Sequence, residues 1–232
     1  MILNIVNKRL FYLVNLPRFV SILFLLEITI AIIFYPGGTY LDDSSKVYIF
    51  HENFLSDLGR LYSWNSSQNF ISFFFFNFAF IQIGLTYIIF FMNLVSIFKQ
   101  EKNIYYLSII ASIFGVLGGL FILGVGLAPA DLYRKIHIIF AIWFIRFFFI
   151  SSLLYILIFI LSKKIKTFFS LGYVFYTIII IIYILIGEFG PKISEGGEFA
   201  LKLHVVSQKF IAFSSILIIF FQTIINKKLI NK

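Results

Sequence analysis

Six long apolar stretches follow one another along the chain, separated by shorter segments that hold most of the charge. They cover roughly residues 17–36, 70–98, 105–127, 132–161, 167–187 and 200–225. A helix needs about 20 apolar residues to cross the ~30 Å hydrocarbon core of a bilayer, so each stretch is long enough to span it. The pattern predicts an all-α, polytopic transmembrane bundle of six helices, formed as a single domain by residues 1–232.

The composition agrees with this prediction and excludes several kinds of site. The chain is 61% hydrophobic and 12% charged, whereas soluble proteins are about half apolar and about a quarter charged. It has no cysteine, which excludes disulfides, thiolate catalysis and cysteine-ligated metals. The first apolar run carries Glu27 and ends in Tyr35-Pro36-Gly37-Gly38 without a small-x-small cleavage site, so we interpret it as a membrane helix rather than a signal peptide.

The basic residues predict how the helices are oriented. With six spans, the N-terminal segment, two turns and the C-terminal tail share one side, which holds a single acid, Glu101. The eleven basic residues on that side are Lys8, Arg9, Arg18, Lys99, Lys102, Lys163, Lys164, Lys166, Lys227, Lys228 and Lys232. The positive-inside rule places this side in the cytoplasm. We therefore expect a multi-pass protein of the cell membrane with cytoplasmic N- and C-termini, in contact with anionic lipids. The dispersed charge argues against nucleic-acid binding.

Two charged residues fall near the middle of predicted helices. Glu27 lies in the first helix and Arg146 in the fourth, at similar depth. Because charges inside a membrane are costly unless they are paired or hydrated, we expect a structural Glu27–Arg146 ion pair. A proton or ion relay is the alternative.

Residues 37–69 form the one long connection, and the charge pattern places it outside the cell as a cap. Long connections without regular structure tend to be functional or disordered. Within it, Ser56 and Asp57 are read in two ways: as the N-cap and first turn of a short helix, or as functional groups.

Several other polar groups are predicted at the same outer end. Asp131 is expected to cap the fourth helix, with His137 about 9 Å deeper at 1.5 Å per residue. In the last helix, His204 and Gln208 share a polar face. The glycine-rich segment 187–199 is expected to form a mobile lip. In the third helix, Ala111, Gly115 and Gly119 recur every four residues, which predicts close helix packing.

Four short motifs suggest a family. They are Tyr35-Pro36-Gly37-Gly38, Asn53 to Gly59, Gly124-x-Gly126-Leu127-x-Pro129-x-Asp131 before His137, and His204-x-x-x-Gln208-Lys209. Together they resemble the domain-of-unknown-function 998 family of prokaryotic six-helix membrane proteins, and the Ser-Asp-x-Gly element is similar to one in the Frag/DRAM/Sfk-type family. The first resemblance implies a fold and a topology but no reaction. More remotely, the outward-facing groups resemble zinc-dependent ceramidase and adiponectin-receptor-type hydrolases, although Gln208 stands where those proteins have a second histidine.

We consider three functions for the protein, of which the first uses the outer site and the second the midplane groups Glu27 and Arg146. The first is a lipid-binding or lipid-modifying protein, in which His51, His137, His204 and Asp57 converge to hold zinc and activate water. In this case His137, His204, Asp57 and Ser56 are the catalytic candidates. The binding candidates are His51, Arg60, Asp131, Arg134 and Gln208. The second is a small-solute or proton transporter, and the third is a non-catalytic structural or regulatory subunit.

Overall fold

The structure is a computed structural model that describes residues 2–163 and 165–231. Its seven helices are α1 (Ile2–Leu10), α2 (Leu16–Ile33), α3 (Phe70–Leu94), α4 (Lys102–Leu127), α5 (Arg134–Leu161), α6 (Ser170–Phe189) and α7 (Ile193–Ile230). A π-helical turn, Phe11–Asn15, joins α1 to α2, and short 3-10 turns occupy Leu55–Gly59, Val95–Phe98 and Thr167–Phe169.

Six segments are long and apolar enough to cross a membrane, which confirms the predicted helical bundle. They are Val6–Ile33, Phe70–Phe98, Lys102–Leu127, Arg134–Leu161, Thr167–Phe189 and Ile193–Ile230. Inside a bilayer each backbone N–H and C=O must be paired within the protein, and a helix does this for every long apolar run.

Both the first and the last span begin earlier than predicted, because the helix continues through polar residues that we expected to lie outside it. The first span starts at Val6 rather than near residue 17. The last starts at Ile193 rather than near residue 200, with a kink at Gly197, where φ is 55°. The predicted mobile lip over 187–199 is therefore wrong. Most of that segment is helical, and only residues 190–192 join α6 to α7.

The helices pack in chain order around a ring. Each of α2 to α7 contacts the next, and α7 returns to pack on α2. The closest approach is between α3 and α4, where a Cβ added to Gly84 would lie 2.8 Å from the carbonyl oxygen of Gly119. Ala111 is fully buried on the same helix as Gly119. The small residues of α4 thus serve close helix packing, as predicted.

An amide side chain completes the joint between the first span and α7. The π-helical turn breaks the regular hydrogen-bond ladder of the first span. The Nδ2 atom of the buried Asn226 donates to the carbonyl oxygen of Leu13 at 3.2 Å, and Gln222 donates to the Asn226 Oδ1 at 2.9 Å. Because the Asn226 amide is paired through both its nitrogen and its oxygen, α7 packs against the irregular turn without leaving that side chain unsatisfied.

Polar contacts gather the connections at two opposite ends of the bundle. At one end, Glu101 accepts hydrogen bonds from Ser162 Oγ at 2.7 Å and from the backbone N–H of Lys163 at 2.9 Å. Arg9 donates to the carbonyl oxygen of Ser96 at the same end, at 3.1 Å. Two members of the predicted basic set, Lys164 and Lys232, lie outside the described residues. The opposite end holds residues 34–69, which we call the long connection.

Candidate functional site

The long connection begins with two glycines that turn the chain back on itself. Gly37 and Gly38 have φ values of 115° and 80°, which side-chain-bearing residues rarely adopt. The N–H of Gly38 then donates to the Ser45 carbonyl oxygen at 3.0 Å. A Cβ on Gly38 would lie 2.3 Å from the backbone nitrogen of Asn65. Pro36, Gly37 and Gly38 therefore form a tight turn, and it brings the two halves of the connection together.

Asn53 lies at the centre of the connection and is 0% exposed. Its Nδ2 donates to the Gly38 carbonyl oxygen at 2.7 Å and to Asp57 Oδ2 at 3.3 Å. Its Oδ1 accepts from the N–H of Ile49 at 2.8 Å. One side chain thus links three separate parts of the connection.

Asp57 is also buried, and both of its carboxylate oxygens accept hydrogen bonds. Oδ1 accepts from Trp64 Nε1 at 2.9 Å, and Oδ2 accepts from the backbone N–H of Phe54 at 2.8 Å. Burial raises the pKa of the Asp57 carboxyl above its ordinary value, and the hydrogen bonds from Trp64 and Asn53 act in the opposite direction. The bond to Phe54 is of the kind that the capping interpretation predicts, but the residue before the 3-10 turn is Phe54 rather than Ser56.

The connection is seated on α7 through two neighbouring residues. Gln208 accepts a hydrogen bond from the backbone N–H of Leu55 at 2.8 Å. Lys209, which is 2% exposed, donates from Nζ to the carbonyl oxygen of Asn53. The Lys209 Nζ also lies 4.9 Å from the ring centroid of Phe50 and 5.4 Å from that of Tyr48, within range of cation–π attraction.

The predicted convergence of histidines is wrong. His137 is buried, with Nδ1 2.7 Å from the Ala128 carbonyl oxygen, and His204 Nε2 lies 3.0 Å from the Pro191 carbonyl oxygen. His51 is exposed beside Glu52. Within the described ranges, no three histidine, aspartate or glutamate side chains are grouped closely enough to hold a metal ion. The proposed set of His51, His137, His204 and Asp57 therefore does not form a zinc site, because each side chain has turned to a local partner.

The other predicted binding residues also have separate roles. Asp131 does not cap a helix, since Tyr133 precedes α5, and its Oδ2 accepts from the backbone N–H of Tyr62 at 2.9 Å. Arg60 donates to the Tyr62 carbonyl oxygen and stacks on the Trp64 ring at 3.9 Å. Ser56 is half-buried and Arg134 is exposed at the start of α5. Asp131 and Arg60 thus hold the second half of the connection in place.

Glu27 and Arg146 do not form the predicted ion pair. Glu27 accepts a hydrogen bond from Gln82 on α3, while Arg146 Nη2 lies 2.7 Å from Glu188 Oε1 near the end of α6. The two residues sit on helices that pack against different neighbours in the ring, α2 against α3 and α7, and α5 against α4 and α6. Similar depth along two helices does not bring side chains together when the helices are not neighbours.

A large apolar groove runs between α6 and α7, directly beneath the long connection. Its volume is about 990 Å³. Aromatic and branched aliphatic side chains form its walls, among them Phe175, Ile182, Phe210 and Leu217. These four side chains are exposed on the outer surface of the bundle. Along α7 the lining runs from Phe199 to Leu217, with Lys202 near the start of this stretch and Lys209 about halfway. Phe50 of the long connection lines the groove beside Lys209.

Sequence reasoning missed the two features that define this site. The motif that ends in Gln208-Lys209 assigns Lys209 no role of its own, although a lysine inside a span is by default a candidate functional residue. That signal was present in the sequence. Nothing in the sequence indicated the groove. The residues that line it, such as Phe175 and Leu217, are of the same types as residues that face lipid on any membrane helix.

No family model, curated protein or solved structure matches the chain. The resemblance based on the four motifs therefore remains a prediction.

Proposed function

We propose that this chain is an integral membrane protein that binds a lipid in the groove between α6 and α7. The observation that carries the proposal is the groove itself, with about 990 Å³ of apolar space that opens on the outer surface of a membrane bundle. Ligand sites of about 300–1,000 Å³ accommodate molecules of drug or lipid size. Because the walls are almost entirely hydrocarbon, the fitting ligand is an acyl chain.

The position of the cationic group gives the bound lipid a direction. Phe50 of the long connection lies beside Lys209, about halfway along the α7 side of the groove, whereas Leu217 lines the groove about two turns further along α7. A lipid would place its chain beside Leu217 and its head group beneath the connection. The proposal concerns binding, since the predicted catalytic histidines face other partners.

The same proposal places the long connection on the extracytoplasmic side as a cap. It is supported by the eleven basic residues assigned to the opposite end. Cysteines introduced at the exposed positions Asp43 and Lys163 test it, because the chain has no cysteine of its own. In intact cells an impermeant thiol reagent should label Asp43→Cys and leave Lys163→Cys unlabelled, and the reverse pattern would overturn the orientation.

Photo-crosslinking tests the groove. The protein is reconstituted with phosphatidylcholine that carries a diazirine in its acyl chain, and the labelled residues are mapped by mass spectrometry. We expect labelling concentrated on the groove-facing residues of α6 and α7. Leu217→Trp, which fills the groove, should lower the labelling of the groove to the level seen on other exposed helix faces. The matched control Leu120→Trp, on an exposed face of α4, should leave it unchanged. Uniform labelling of all exposed faces in the wild-type protein would refute the proposal.

A further inference from the structure

The charged residues that line the groove within the described part of the chain are both lysines. They are Lys202 and Lys209. They are seven residues apart on α7, which is two helical turns, so both lie on one face about 10 Å apart along the axis. The groove therefore combines a long apolar wall with two cationic positions on one face of α7.

The charge of Lys202 is already neutralised by the protein. Its Nζ pairs with Glu198 one turn earlier in α7 and lies 3.7 Å from Glu52 of the long connection. Two carboxylates beside one ammonium group leave no excess positive charge at this position.

Lys209 has no such partner. Within the described residues, no carboxylate lies within ion-pair distance of its Nζ, and its only hydrogen bond is to the Asn53 carbonyl oxygen. An ammonium group has three N–H donors, so two remain. Burying a charge costs free energy unless it is paired and hydrogen-bonded. Lys209 is 2% exposed and lines the groove, so its charge needs an anionic partner. None of the described carboxylates is in contact with it.

Asp57 does not serve as that anion. Its two oxygens accept from Trp64, Phe54 and Asn53, and Asn53 stands between the carboxylate and the lysine. The carboxylate attracts Lys209 through space but leaves its N–H donors unpaired.

Phe50 covers the ammonium group from the groove side. Its ring centroid is 4.9 Å from the Lys209 Nζ, and the residue is 55% exposed. The ring stabilises the charge through its π face while the groove is empty. Because little packs on its outer side, it is free to turn aside when a stronger partner arrives.

We propose that the ligand of the groove is an anionic phospholipid whose phosphate pairs with Lys209 after Phe50 has moved away. This inference rests on the proposed lipid groove and specifies its head group. Two phosphate oxygens can accept from the two remaining N–H groups in charge-assisted hydrogen bonds, which are stronger than those between neutral groups. Phosphatidylglycerol fits this site better than phosphatidylcholine, because the choline ammonium group of phosphatidylcholine neutralises its phosphate and competes with Lys209 for it.

The test compares two diazirine lipids that differ only in the head group. The protein is reconstituted with photoactivatable phosphatidylglycerol or photoactivatable phosphatidylcholine at equal mole fractions. Hydrogen bonds to a charged group contribute enough to predict about a tenfold preference for phosphatidylglycerol in the groove. Lys209→Gln should abolish the preference while phosphatidylcholine labelling persists, and Lys209→Arg should retain it. Lys192→Gln, at an exposed lysine at the start of α7, is the matched control and should behave like the wild type.

The outcomes separate the two proposals. Labelling of the groove by neither lipid would refute the groove itself. Equal labelling by both lipids in the wild-type protein would leave the groove intact and overturn the role of Lys209. If Lys209→Gln does not fold, competition in the wild-type protein replaces it. Unlabelled phosphatidylglycerol should then displace the photoactivatable phosphatidylcholine from the groove more effectively than unlabelled phosphatidylcholine, and equal displacement would overturn the inference.

Discussion

Replacing Asn53 by alanine tests whether the long connection is a packed structure. The substitution removes the hydrogen bonds to the Gly38 carbonyl oxygen, to Asp57 and from the N–H of Ile49. Each neutral hydrogen bond contributes about 1 kcal/mol net, so we expect a loss of about 3 kcal/mol. The link from Lys209 survives, because that lysine bonds to the backbone oxygen of residue 53.

The two tryptophans of the chain allow this loss to be measured where it occurs. Trp64 donates to Asp57 inside the connection, and Trp143 lies on α5. In a Trp143→Phe background, the fluorescence of Trp64 follows unfolding of the connection during titration with sodium dodecyl sulfate in mixed micelles. The transition of Asn53→Ala should move to lower denaturant than that of the parent protein.

An exposed asparagine supplies the control. Asn103 lies in the first turn of α4 and is exposed. Asn103→Ala should change the free energy of unfolding by less than about 0.5 kcal/mol, as surface substitutions usually do. If Asn53→Ala and Asn103→Ala have equal effects, the hydrogen bonds of Asn53 do not stabilise the connection and the reasoning fails.

Three further predictions address the bundle and the buried carboxyl group. Glu27→Gln and Arg146→Gln should have additive effects on the free energy of unfolding, because the two residues have separate partners. The double mutant should match the sum of the single mutants within about 0.5 kcal/mol. A larger coupling energy would support the ion pair instead. Gly119→Val should destabilise the bundle by about 1–3 kcal/mol through overpacking against α3. Gly187→Val, where an added Cβ meets nothing within 4 Å, should lower the melting temperature much less, and equal shifts would contradict this view of the α3–α4 contact. Burial raises the pKa of Asp57 from 3.8, so the folded state holds the proton to higher pH than the unfolded state does. The stability of the connection should therefore fall as the pH rises above 3.8 towards the folded-state pKa. With Trp64 fluorescence as the readout, the stability of Asp57→Asn should depend less on pH over the same window.

The sequence determined the number and approximate position of the membrane helices. Long apolar runs have few alternatives to a helix in a bilayer, since no water is present to pair with the backbone. It also determined the turn at Gly37 and Gly38 and the close packing at Gly119. A residue without a Cβ can adopt a positive φ angle and lets a neighbouring helix approach closely. These features depend on local chemistry, which the order of residues specifies directly.

Only the tertiary structure decided which side chains meet. Glu27 and Arg146 lie at similar depth on helices with different neighbours, and His137 and His204 each face a carbonyl oxygen. The partner of a side chain depends on the rotation of each helix about its axis and on the order of helices around the ring, and neither quantity is encoded in the spacing along one helix. For the same reason Lys209, one position after Gln208, comes to lie between a packed connection and an apolar groove, where we propose that it binds a lipid phosphate.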